Sequence, residues 1–81
     1  MNMIEFIDKL NIRTKIINDI NDERGGQDHL HPENLNLPMR FVTIMEELGE
    51  VAEAMQVNDD EATYRELIDA AACCVRMAEV T

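Results

Sequence analysis

The 81-residue sequence has no tryptophan, one tyrosine (Tyr64) and two phenylalanines (Phe6 and Phe41), so aromatics make up only 4% of it. An interior drawn from 46% hydrophobic residues with so few rings must be aliphatic, and that supply suits helices better than sheets. Basic residues are also scarce: 7 Lys and Arg stand against 17 Asp and Glu, for a formal charge of -10. This balance excludes a nucleic-acid polymer or an anionic membrane as the main partner, because both require a basic footprint. Long apolar runs are missing too. Glu5, Asp8 and Lys9 interrupt the N-terminal stretch, so neither a signal peptide nor a membrane span is expected, and the location is read as cytoplasmic. The only cysteines, Cys73 and Cys74, are adjacent. That is the wrong spacing for a zinc pair and an awkward one for a mutual disulfide, so they read as small buried residues in a reducing compartment.

A single domain of this size buries only about 60% of the surface of its unfolded chain, and subunit association is therefore expected. Residues 2–22 carry apolar side chains at Met3, Phe6, Ile7, Leu10, Ile17 and Ile20, with a second row at Ile4, Ile12 and Ile16. Both rows are helically spaced and together make a face wide enough for more than one neighbour. Residues 23–37, with Gly25-Gly26, Pro32 and several Asn and Asp, read as an irregular loop of functional length. A second helix is predicted over 38–56, opened by Pro38 and buried through Phe41, Ile44, Met45, Leu48, Val51, Ala52 and Met55. Asn58 and Glu61 have capping-box spacing before a third helix over 61–80, whose stripe is Tyr64, Leu67, Ala71, Cys74, Val75 and Ala78. The short link makes these two an antiparallel hairpin, and the fold class is all-α, with a four-helix core completed by homo-oligomerisation.

On a helical wheel Glu47 and Glu50 fall on one shoulder of the second helix's stripe, and Glu66 and Asp69 fall at the matching angles on the third. Acids at helical spacing are commonly a solvated face, but here an acid-Leu-x-acid pattern recurs on two adjoining helices without interleaved Lys or Arg. Carboxylates converging without cations would repel one another, and a hard divalent cation such as Mg²⁺ or Mn²⁺ resolves that conflict.

The segments Glu46-Glu47-Leu48-Gly49-Glu50 and Glu66-Leu67-Ile68-Asp69 meet the E-E-x-x-E and E-x-x-D signature of the MazG-like branch of the all-alpha nucleoside triphosphate pyrophosphatases, which the chain resembles over roughly residues 39–79. The resemblance implies hydrolysis of a nucleoside triphosphate to the monophosphate and pyrophosphate, with Mg²⁺ as cofactor and Glu47, Glu50, Glu66 and Asp69 as its ligands. Glu46 and Glu47 are then the candidates for orienting or activating water. Family members typically add a further helix and a base pocket, so a homodimer or homotetramer is expected to complete the site. Lys15 on the first helix and Arg24, Gln27 and His29 in the predicted loop are the candidate substrate contacts. Two rival readings are weaker. A carboxylate-bridged di-iron site needs Glu-x-x-His motifs that are missing here; a noncatalytic helical interaction module has no reason to retain all four acids.

Overall fold

The computed structural model describes residues 1–30 and 36–81, and the side chains of all of these except His29 and Leu30. It is all-helical: α1 spans Met3–Leu30, α2 Leu37–Gln56 and α3 Asp60–Glu79. Each start is capped by a side chain that satisfies an otherwise orphan amide. Asn2 accepts from the Glu5 N–H at 2.8 Å, Asn36 from Met39 at 2.9 Å and Asp59 from Ala62 at 2.9 Å. Pro38 stands in the first turn of α2, where no amide is needed.

The hairpin turn differs in detail from the capping box expected at Asn58. Asn58 takes the left-handed conformation at φ 55°, while the amides of Asn58 and Asp59 close back on the carbonyls of Met55 and Ala54. This is a Schellman closure of α2, a role that asparagine tolerates, and it hands the capping task to Asp59.

The larger correction concerns 23–30, which is helix rather than loop: α1 runs through Gly25-Gly26 to Leu30. Each glycine weakens a helix by about 1 kcal/mol. Contacts of the flanking residues offset that weakness. Gln27 is buried and its amide donates to the Cys73 sulfur at 3.3 Å, while Arg24 pairs with Asp28 at 2.6 Å along α1 and donates to Glu79 of α3 at 2.6 Å. Of the expected loop, 31–35 lie outside the described residues, His31 among them.

α3 is the central element, with α2 along one side and α1 along the other. The pairs Asp19–Tyr64 and Gln27–Cys73 advance in the same sense, so α1 and α3 run parallel. The core is small: its buried apolar residues among those described are Ile44, Val51 and Ala54 of α2 and Ile68, Ala70 and Ala72 of α3. The stripes expected to be buried are only partly so. Leu48 and Leu67, at their centres, remain 44% and 48% exposed, and Phe41, Met45 and Met55 lie open on α2. The hairpin interface is rotated toward the shoulders that carry Glu47, Glu66 and Asp69, all half-buried. Each apolar face is wider than one neighbour can cover.

Toward the N-terminus, residues 1–15 are all exposed, Met3, Ile4, Phe6, Ile7, Leu10 and Ile12 included, and Lys15 reaches Tyr64 of α3. A radius of gyration of 14.7 Å compares with about 12 Å for a globule of this length. No helix among the described residues is long and apolar enough to cross a membrane.

Candidate metal centre

Glu47 projects from the middle of α2, and Glu66 and Asp69 stand one turn apart on α3. One carboxylate oxygen from each lies within 4.8 Å of the others. Glu50, one turn beyond Glu47 and more exposed, lies close enough for its charge to raise both Glu47 and Glu66. Three of the four carboxylates singled out in the sequence thus come together, with Glu50 beside them. The reason is the rotated packing: because α2 and α3 meet along their acidic shoulders, these side chains are drawn into the seam between the helices.

Burial in the seam pushes the Glu47 carboxyl up to about 7, and the charges of Glu50, Asp69 and Glu66 add to the shift. Glu66 is raised as well, first by its hydrogen bond with Glu50, then by desolvation and neighbouring charge, with Arg65 opposing. A group that holds its proton to neutrality because acids surround it is poised to exchange that proton for a cation. The Oε2 atoms of Glu47 and Glu66 are buried without any hydrogen-bond partner. Orphaned acceptors of this kind, in an all-oxygen donor set, fit Mg²⁺ or Mn²⁺ and not a soft metal.

A fifth acid was not anticipated. Glu23 of α1 stands near Asp69, and its carboxyl is raised by desolvation and by the Asp69 charge. Its signal was present as the polar row Asp19, Glu23, Gln27 at four-residue spacing, hidden by reading Gly25-Gly26 as the end of the helix. One turn past Asp69 lies Cys73, whose thiol is pushed up by burial and by Glu47, against the hydrogen bond from Gln27. Neither cysteine forms a disulfide, and Cys74, expected inside, is exposed.

The remaining candidates are placed elsewhere. Glu46 is exposed and outside the carboxylate group. Lys15 is committed to Asp19 at 2.7 Å and lies 4.7 Å from the centre of the Tyr64 ring. Arg24 is held by Asp28 and Glu79, so it does not point to the carboxylates as a ready phosphate contact. Gln27 is buried beside Cys73, with its Oε1 unpartnered. His29 belongs to α1, and its side chain is outside the described residues. Against protein-family models, curated proteins and solved structures, the chain finds no match.

Proposed function

We propose that the chain is a Mg²⁺-dependent nucleoside triphosphate pyrophosphohydrolase of the MazG-like kind. The observation that carries the reading is the convergence of Glu47, Glu66 and Asp69 in one helix seam, with Glu50 beside them and buried oxygens that no protein donor satisfies. Glu47, Glu50, Glu66 and Asp69 would hold Mg²⁺ there, and the ion would supply positive charge for the phosphate groups and acidity for water.

The chain's own residues supply the rest. Glu47, Glu66 and Asp69 fix the ligand positions from two packed helices, and Glu50 adds its charge beside Glu47 and Glu66. In the metal-free fold Glu47 keeps its proton to about 7, and it would release that proton on taking up the cation, which suits it to be a ligand. Glu23, leaning on Asp69 from α1, fixes that carboxylate from behind.

The same reading includes self-association. An accessible surface of 6122 Å² exceeds the roughly 5,000 Å² of a monomeric protein of this mass by about 1,100 Å². One side of a standard protein interface hides about 800 Å². The excess is carried by Met3, Phe6, Ile7 and Leu10 on α1 and by Phe41, Leu48 and Leu67 on the hairpin, which a second copy would cover to complete a four-helix core.

Turnover of nucleoside triphosphates with Mg²⁺ in ¹⁸O-labelled water tests the reading. Pyrophosphate release with label in the monophosphate alone is expected. Labelled orthophosphate would make the protein a phosphatase, and Mg²⁺ binding without any turnover would make it a noncatalytic module.

A further inference from the structure

Along the contact between α1 and α3 the two helices present donors at matching intervals. Glu23 and Gln27 are four residues apart on α1, Asp69 and Cys73 four apart on α3, and both cross-helix pairs share an offset of 46 residues. Because the helices run parallel, Glu23 stands near Asp69 and Gln27 meets Cys73 one turn further along. We infer that Cys73, Asp69 and Glu23 hold a borderline-soft divalent cation, Zn²⁺, that fastens α1 to α3. The inference stands on this ladder of donors and not on the hydrolase reading.

Donor chemistry separates the site from the neighbouring seam. Glu47, Glu66 and Asp69 offer oxygen alone, the preference of Mg²⁺, whereas Cys73 adds a sulfur that suits Zn²⁺. Asp69 belongs to both groups, and a carboxylate has an oxygen for each. Glu47 and Asp69 both bring negative charge to the thiol, which favours a cation beside it.

The spacing is that of a helical chelate. Side chains four residues apart on a helix have Cβ atoms roughly 5–6 Å apart. A tetrahedral zinc with sulfur at about 2.3 Å and oxygen at about 2.1 Å sets those donors roughly 3.6 Å apart, so Asp69 and Cys73 close on one ion by side-chain rotation. Side chains of α1 reach the sulfur on the same scale, since the Gln27 amide nitrogen lies 3.3 Å from it. The companion oxygen of that amide is an independent pointer to a ligand. Gln27 is only 7% exposed, and its Oε1 has no hydrogen-bond donor. Both amide atoms share one carbon, which places Oε1 within roughly 6 Å of the sulfur. Zinc with three protein ligands keeps a fourth position for water, and a water there has its acceptor in Oε1.

A cleft of about 330 Å³ between α1 and α3 gives the ion its entry. Asp19, Asp22 and Glu23 stand on its α1 wall, and Tyr64, Ile68 and Asp69 on its α3 wall, so two of the three ligands are reached from solvent. A core this small gains from such a cross-link, because the binding free energy of a structural zinc adds to folding.

Co²⁺ is the probe, since it takes zinc's ligands and reports a thiolate by a charge-transfer band in the near ultraviolet. The full chain, reduced and with Mg²⁺ present, is titrated with Co²⁺ and then with Zn²⁺. A saturable charge-transfer band that Zn²⁺ bleaches is expected, together with slower amide exchange over residues 19–28 in Zn²⁺. Cys73→Ser should remove the band with helicity unchanged, while Cys74→Ser keeps it. Glu23→Gln and Gln27→Met leave the sulfur in place, so each should keep the band and weaken Zn²⁺ by roughly ten- to a hundredfold. These two variants carry the test even if Cys73→Ser unfolds. Absence of the band at saturating Co²⁺, a band that survives Cys73→Ser, or Zn²⁺ affinity unchanged in both Glu23→Gln and Gln27→Met overturns the site. None of these readouts depends on turnover, so the hydrolase reading stands or falls separately.

Discussion

The two halves of α1 invert the usual rule for a small globule. Its N-terminal half is rich in Met, Ile, Phe and Leu and faces solvent, whereas its C-terminal half packs on α3 through Asp19, Glu23 and Gln27. Polar residues join Ile16 and Ile20 in the covered part of the helix, while a run of apolar ones lies outside. Burying acids is unfavourable unless something pairs with them, and exposing a continuous apolar arm is unfavourable unless something covers it. Under the proposed function, a cation would answer the first anomaly and a second copy of the chain the second.

The sharpest way to break this contrast is to neutralise the α3 acid that the inner half faces. Asp69→Asn should lower turnover at least a hundredfold and abolish the Mg²⁺ heat in calorimetry. The metal-free protein should keep or gain thermal stability, because like charges are removed. Lost helicity with unchanged Mg²⁺ affinity would make Asp69 structural. Next comes the outer half. Leu10 is 47% exposed, so with Leu10→Asp sedimentation equilibrium should show a monomer, with association weakened about a hundredfold, and little change in per-chain helicity.

A smaller effect separates the halves by pH. The Glu47 carboxyl is raised in the fold to about 7, so the folded state holds a proton that the unfolded chain releases near the ordinary carboxylate value. Its stabilising contribution is present at low pH and is lost as pH rises through 7. Denaturant titrations without metal should therefore find on the order of 1–2 kcal/mol less stability at pH 8 than at pH 5, a figure discounted for solvent screening of this half-open site. Saturating Mg²⁺ should reverse the trend.

The smallest effect tests the junction. A Cβ on Gly25 or Gly26 meets nothing within 4 Å, and neither glycine has positive φ. Gly25→Ala and Gly26→Ala should each stabilise the protein by about 1 kcal/mol in thermal melts.

That glycine pair also marks where the sequence stopped being legible. The hairpin was readable because local chemistry and apolar period agree there: Pro38 opens α2, Asp59 caps α3, and the repeated acid spacing places Glu47, Glu50, Glu66 and Asp69 on facing shoulders. Gly25-Gly26 disagrees with its surroundings, since the signal for a break is local and the contacts of Arg24 with Glu79 and Gln27 with Cys73 are tertiary. The same limit hid Glu23 and placed Leu48 and Leu67 in the core. Periodicity identifies an apolar face but not which part of it a single chain can cover, and here the acids took the seam.

The central position of α3 orders how the molecule comes apart. Among the described residues α1 and α2 each pack on α3, with no direct packing between the two, so either can open alone while α3 is released only after both. α1 is the weaker attachment, held by a few polar bridges. When it lifts away, it takes Asp19, Asp22 and Glu23, and with them one wall of the cleft, while Glu47, Glu50, Glu66 and Asp69 stay clasped between α2 and α3. Amide exchange should therefore be slowest in α3 and fastest in α1. Partial opening of this chain erases the cleft before it disturbs the carboxylates.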